Sequence, residues 1–208
     1  MGFADKSARR TSARRGASAR TLRIIGGSWR GRKLRFAAGA DIRPTPDRVR
    51  ETLFNWLGTR VAGARCLDLF AGSGALGLEA LSRGAAHVTF VEQDATAALE
   101  LRARLSEWQA PDSCVERGDA LRFLAGTPTP FGIVFLDPPF AAGLLGPAAD
   151  RLANGGWLAP GALLYVEFAA REGAPVLPAS FVPLKGKQAG EVGYHLYAHH
   201  TARPAETA

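Results

Sequence analysis

Asp137, Pro138, Pro139 and Phe140 stand in a row behind the apolar run FGIVFL, and their order suits one kind of chemistry. Two successive prolines lack N–H groups and hold the backbone rigid. The carbonyls of Asp137 and Pro138 are then turned outward as fixed acceptors beside the Asp137 carboxylate, and Phe140 adds an aromatic face. A carboxylate, an outward carbonyl and a stacking ring match an exocyclic amine on a planar base. Such acceptors would hold both N–H hydrogens and draw the nitrogen lone pair toward an electrophilic methyl group. Taken alone, the tetrapeptide reads more simply as a Pro-Pro turn closing a strand, with Phe140 packed inside. What stands upstream reverses that balance.

The stretch DLFAGSGALGLEA, residues 68–80, follows one apolar run and opens a helical one. Gly72 and Gly74 let the backbone turn tightly and approach a ligand, and the helix start behind them offers free N–H groups. The run GSGALG is followed by no phosphate anchor, and GxxxxGK[ST] is absent, so this is not a P-loop. Twenty residues after Gly72 stands Glu92, followed by Gln93, where a carboxylate can accept both ribose hydroxyls of an adenosine cofactor. Asp119, before Ala120, suits an adenine amino group or a helix N-cap equally. Loop, carboxylate and spacing together point to a nucleoside-containing cofactor, without separating S-adenosylmethionine from NAD. A hydride enzyme would need a proton donor, a Tyr-x-x-x-Lys pair or a nearby His. No tyrosine has Lys four residues on, His87 opens a strand, and His195, His199 and His200 lie in the final segment.

Strand-like apolar runs lie at 64–70, 87–92, 113–116, 131–136 and 162–168. Helical candidates lie between them at 74–83, 95–109, 119–125 and 144–153. Near-continuous apolar strands alternating with helices predict a parallel sheet covered on both faces. Asp137 then projects beyond a strand's carboxyl end, where ligands of such sheets bind. The last forty residues predict an antiparallel hairpin joined by a turn containing Lys and Gly. Near the start, 21–36 reads as two short strands around Gly26-Gly27, carrying Arg30, Arg32, Lys33 and Arg35 among Trp29 and Phe36. A helix follows, with Thr45 as cap, Pro46 in its first turn and Gly58 as stop. Val49, Leu53, Trp56 and Leu57 form its packed face, and Arg43, Arg48 and Arg50 are left for solvent or ligand.

The 208 residues are 47% hydrophobic and 22% charged, which suits a globular chain with a sizeable core. The longest stretches free of charge run from Leu152 to Val166 and from Phe123 to Leu136, too short to span a membrane. Cys66 and Cys114 form no metal-binding or disulfide pattern, and a reducing compartment fits them. The net charge of +7 is uneven. Residues 1–50 hold 14 Lys/Arg against 3 Asp/Glu, a balance of +11, whereas 51–208 hold 12 against 16, or −4. That asymmetry predicts a polyanionic partner met by the N-terminal part. Residues 1–20, rich in Arg, Ala and Ser, read as a disordered basic arm.

DPPF resembles the [DNS]PP[YFW] motif of amino-methyltransferases that use S-adenosylmethionine. The ordered series RIIGG, RGRKL, RPTPDRVRETLFNWL, CLDLFAGSGALGLEALSRGA, VEQD, DPPF, NGGWL and YVE resembles the RsmD family of 16S rRNA guanine-N2-methyltransferases over residues 22–198. The resemblance implies an α/β Rossmann-like class I methyltransferase fold. Its sheet would be seven-stranded and mostly parallel, its last strand antiparallel, with a small N-terminal extension. It implies a hairpin-and-helix extension at 21–60 that contacts RNA, a methyltransferase domain at 61–200 and a disordered tail at 201–208. It also implies methylation of one guanine, guanine-966 in the family, within the small ribosomal subunit, by a cytoplasmic monomer without a metal. Phe70 to Gly74, with Ala71 and Ser73, would wrap the methionine part, with Asp68 near its amino group. Glu92 and Gln93 would hold the ribose, Asp119 and Ala120 the adenine, and Asp137 to Phe140 the guanine N2. Arg30, Arg32, Lys33, Arg35, Arg43 and Arg48 would meet RNA, and Arg43 and Thr45 would close over the site. DNA adenine-N6 methylation and non-catalytic RNA binding are the alternatives.

Overall fold

A computed structural model describes residues 20–36 and 45–200; residues 1–19 of the expected arm, Arg43 and the tail at 201–208 lie outside them. Strands β1 (Arg20–Arg23) and β2 (Lys33–Phe36) pair antiparallel as a separate small ribbon. Helix α1 (Asp47–Leu57) then leads into a single large sheet. Its strands are β3 (Arg65–Asp68), β4 (His87–Glu92), β5 (Ser113–Arg117), β6 (Phe131–Leu136), β7 (Leu158–Ala169), β8 (Phe181–Ala189) and β9 (Val192–His199), in the order β5-β4-β3-β6-β7-β9-β8. Five neighbouring strands run parallel, and β9 inserts antiparallel between β7 and β8. This is the expected Rossmann-like sheet with an antiparallel last strand.

The connecting helices are α2 (Ala75–Ser82), α3 (Ala95–Glu107), α4 (Ala120–Phe123) and α5 (Leu145–Asn154). Alternating strand residues divide the core into two layers. Cys66, Phe90, Ile133, Phe135 and Tyr165 pack under α1, α2 and α3. Leu67, Val91, Val134, Leu136 and Val166 pack under α4 and α5. The chain winds outward through β3, β4 and β5, then returns to place β6 on the other side of β3. That reversal opens a crevice at the carboxyl ends of β3 and β6, the topological switch point of the sheet.

Four expectations are corrected. Thr45 does not cap α1; Pro46 occupies the N-cap, and no side chain serves there. The Thr45 hydroxyl reaches Glu167 instead, because buried acceptors across the sheet compete with the local amide. Arg50 is not left for solvent but is buried entirely, drawn inward by Glu79. The Lys185-Gly186-Lys187 run lies inside β8, and the hairpin turns at Gly190, which holds φ +61. Lastly, 26–27 is not a tight hairpin turn: the chain from Ile24 to Arg32 forms a longer loop fastened to α2 through Ser82. Among the described residues, no helix is long and apolar enough to cross a membrane.

Candidate active site

Residues after β3 and β4 build one wall of the crevice. Gly72 and Gly74 both hold left-handed backbones, φ +50 and +76, which side-chain-bearing residues rarely adopt. They do different work. A Cβ on Gly72 would meet nothing within 4 Å, whereas one on Gly74 would lie 2.6 Å from Leu101 Cδ1. Gly72 therefore leaves open space for a ligand, and Gly74 brings the start of α2 against α3. Gly74 is correspondingly absent from the cavity wall. The Gly72 amide donates to Glu92 Oε2 at 2.6 Å, and the Asp94 amide donates to Oε1 at 2.7 Å. Glu92 is thus held in place by backbone, with lone pairs to spare. Asp119 lines the cavity and also caps α4, accepting from the Arg122 amide at 2.8 Å. The N-cap reading is met, and its place on the cavity wall leaves the side chain accessible to a ligand.

The opposite wall comes from β6. Asp137, Pro138, Pro139 and Phe140 all line the same cavity as Phe70, Ala71, Gly72, Ser73, Gln93 and Ala120. Phe140 is half-buried and belongs to neither core layer, so it does not pack inside as a plain strand-closing turn would have it. The cavity holds about 1030 Å³. That is the upper end of the range for one drug-sized ligand, roughly 300–1,000 Å³, and suits two groups side by side.

Three carboxyls converge on one face beneath the start of α1. Asp68 ends β3, Asp137 follows β6, and Glu167 lies in β7; Asp68 and Glu167 are almost fully buried. Burial pushes Asp68 up to about 7, opposed by the hydrogen bond from the Gly77 amide and reinforced by Glu92 and Glu167. Burial, then the charges of Glu167 and Asp68, raise Asp137 well above the usual carboxylate range. Glu167 is pushed by burial to about 7, against hydrogen bonds from the Tyr165 and Thr45 hydroxyls, both at 2.9 Å. Glu167 escaped the sequence reading, although a carboxylate inside the apolar run ALLYVEF was its visible signal. Among the described residues, no group of His, Cys, Asp and Glu is arranged to hold a metal.

The basic residues sit elsewhere. Arg30, Arg32 and Lys33 are exposed on the ribbon, and Arg48 on α1. Arg32 lies over the rings of Trp29 and Trp108. Trp108 follows the end of α3 farthest from the cavity, so thirteen residues at 1.5 Å place Arg32 roughly 20 Å from the site. Trp29 is committed too, edge-on to Trp108 with centroids 5.2 Å apart. Of Arg35, the backbone alone is described, opposite Thr21.

The family model described as Conserved hypothetical protein 95 matches residues 22–198, from β1 into β9. The chain belongs to this family, the RsmD family. The Escherichia coli protein named Ribosomal RNA small subunit methyltransferase D is 51% identical over 176 residues, covering 85% of this chain and 89% of its own. Its Haemophilus influenzae namesake is 44% identical over 180 residues, covering 85% and 93%. The solved structure of yhhF from Escherichia coli superposes with a TM-score of 0.80 at 49% identity, over 86% of this chain and 98% of that one. RsmD-family membership thus spans both walls of the cavity and the N-terminal ribbon.

Proposed function

We propose that this protein transfers a methyl group from S-adenosylmethionine to the exocyclic N2 of one guanine of 16S rRNA, acting on the small ribosomal subunit. The observation that carries the reading is one cavity lined on one side by Gly72, Glu92 and Asp119 and on the other by Asp137, Pro138 and Phe140. The printed name of the 51% identical relative supports ribosomal RNA of the small subunit as the substrate.

The residues fit the cofactor. A carboxylate offers about four lone-pair sites, and Glu92 spends two on backbone amides, leaving two for ribose hydroxyls. Asp68 suits the amino group of the methionine part, Asp119 and Ala120 the adenine, and the open side of Gly72 the chain between them. When bound, S-adenosylmethionine supplies a methyl group already activated on a sulfonium. Asp137 and the Pro138 carbonyl accept the two N2 hydrogens, and Phe140 stacks on the base. Their task is alignment of nitrogen and methyl. N2 gives up one proton when it takes the methyl group and the sulfonium is left as a thioether, and the Asp137 carboxylate would accept that proton. Arg30, Arg32, Lys33, Arg35, Arg43 and Arg48 contact phosphates and orient the particle without reading bases. The division into arm, RNA-contacting extension at 21–60 and catalytic domain at 61–200 belongs to the same reading.

The test incubates the protein with methyl-labelled S-adenosylmethionine and small ribosomal subunits lacking the modification, with duplex DNA in parallel, followed by digestion to nucleosides. N2-methylguanosine from the rRNA supports the reading. N6-methyladenosine from either substrate, or no label, overturns it.

A further inference from the structure

Leu136 pairs with Val166, so Asp137 and Glu167 stand one step further along neighbouring strands. Thr45 Oγ1 lies between them, 2.9 Å from Glu167 Oε1 and 3.5 Å from Asp137 Oδ2. We infer that Glu167 is a positioning residue for methyl transfer: a proton held on Glu167 turns the Thr45 hydroxyl toward Asp137 and fixes that carboxylate to receive the amine. The inference rests on the proposed role of Asp137 at the target nitrogen.

Glu167 is 2% exposed and does not line the cavity, whereas Thr45 does. Its influence on a substrate must therefore pass through Thr45. A threonine hydroxyl carries one hydrogen and can donate it to one carboxyl at a time. The groups facing Glu167 are Asp137 from β6, Asp68 from β3, Tyr165 on its own strand, its cross-strand partner Tyr194 on β9, and Thr45. Arg50 donates to the Thr45 carbonyl but is itself paired with Asp47 and Glu79. Among the described residues, no cation forms an ion pair with Glu167. A buried carboxyl among carboxyls keeps its proton more readily than one in water.

With that proton in place, Glu167 donates to Thr45, and Thr45 donates to an ionised Asp137. When Glu167 loses the proton it claims the threonine hydrogen for itself and sets a second negative charge beside Asp137. The pair sheds its protons in two steps that belong to both groups. The intermediate state, with one proton left, is the active one.

The test is the pH profile of kcat at saturating cofactor, on small subunits lacking the methyl group. Glu167→Gln keeps a neutral donor for Thr45, so its turnover should stay within about threefold of wild type. Its acid limb, over which Glu167 still holds its proton, should stay within about half a pH unit of wild type, and its alkaline limb should vanish. Glu167→Ala should lose about tenfold or more in kcat, with both KM values within about threefold. Should Glu167→Ala not fold, Thr45→Val removes the shared hydroxyl, keeps the side-chain shape and reads the same loss. Equal losses in the Gln and Ala variants, or profiles that superimpose on wild type, overturn the inference. Carboxyl-carbon NMR titration of the chain without RNA or cofactor reads the pair independently: the wild-type Asp137 signal should move in two steps, the second of them absent from Glu167→Gln, and a second step that persists in Glu167→Gln, or is missing from wild type, overturns the coupling. If the wild type methylates no RNA, the proposed function falls, and this titration alone decides whether Glu167 controls Asp137.

Discussion

Arg50 and Glu79 meet 3.4 Å apart with neither side chain reaching solvent. Glu79 also accepts from the Ile25 and Gly26 amides, both at 2.8 Å, and Arg50 donates to the carbonyls of Arg23 and Thr45. One buried pair thus ties the N-terminal ribbon, α1 and α2 to the threonine above the cavity. Removing Arg50 leaves Glu79 with Arg83 as its ion partner, at 2.8 Å, but takes a second cation from a fully buried carboxylate and frees the carbonyls of Arg23 and Thr45. Arg50→Ala should destabilise the protein by about 3–5 kcal/mol, read by urea unfolding. A loss below about 1 kcal/mol, the size of an exposed ion pair, would show that the latch is not a structural keystone.

The two walls of the cavity should separate kinetically. Asp137→Ala should abolish methyl transfer yet keep cofactor affinity within about tenfold, since a hydrogen bond to a charged group is worth roughly 1.5–3 kcal/mol and its main partner is the target amine. More than a tenth of wild-type turnover in that variant would displace Asp137 from its role. Glu92→Ala should do the reverse, weakening cofactor binding while turnover recovers at saturating cofactor. Equilibrium binding and steady-state kinetics on both variants decide the point.

Asp68 lies at about 7 rather than near its usual 3.8. Below that value its carboxyl is neutral and offers a cationic ligand no charge; above it the group ionises and attracts one. Affinity for S-adenosylmethionine should therefore rise with pH from about 5.5 to about 7.5, approaching tenfold per unit well below the carboxyl's own value. Calorimetric titration across that range should show the slope in wild type and its loss in Asp68→Asn. A flat wild-type profile would place the cofactor's amino group elsewhere.

Affinity for RNA should fall steeply with salt, because each neutralised phosphate releases counterions. Residues 1–19 hold Lys6, Arg9, Arg10, Arg14 and Arg15. Deleting them should reduce the logarithmic salt slope by up to about four, at roughly 0.7–0.9 per phosphate contact, and leave the methylated nucleotide unchanged. Neutralising Arg32 and Lys33 together should lower turnover on the particle with those residues intact. A changed target after deletion, or a fully active double variant, would refute this division of labour.

Elements governed by neighbouring residues were legible from the chain. The strands at 87–92 and 131–136 form with the expected bounds, because an apolar run between turn signals carries its own instruction. The β8–β9 turn was misplaced because Lys185-Gly186-Lys187 looks like a turn locally, whereas pairing of the two strands carries the hairpin on to Gly190. The cavity residues Asp137, Phe140, Glu92 and Asp119 were visible because their types and spacing suit chemistry wherever a βα fold places them. Gly72 and Gly74 looked alike in sequence, and the packing of Leu101 against one of them separates their tasks.

By itself, the sequence determined the order of strands and helices, the Asp137–Phe140 tetrapeptide beyond β6 and the Glu92 carboxylate at the end of β4. Apolar periodicity, glycine turns and proline rigidity act within a few residues and need no distant partner. Tertiary structure alone decided where Thr45, Arg50 and Glu167 point. A hydroxyl that looked like a local cap found a carboxyl 122 residues away, and an arginine that looked exposed was taken inside by a glutamate 29 residues on. Burying a polar group without a partner is costly. Its partner is therefore set by which strands and helices become neighbours, a property of the closed fold and not of the adjoining residues.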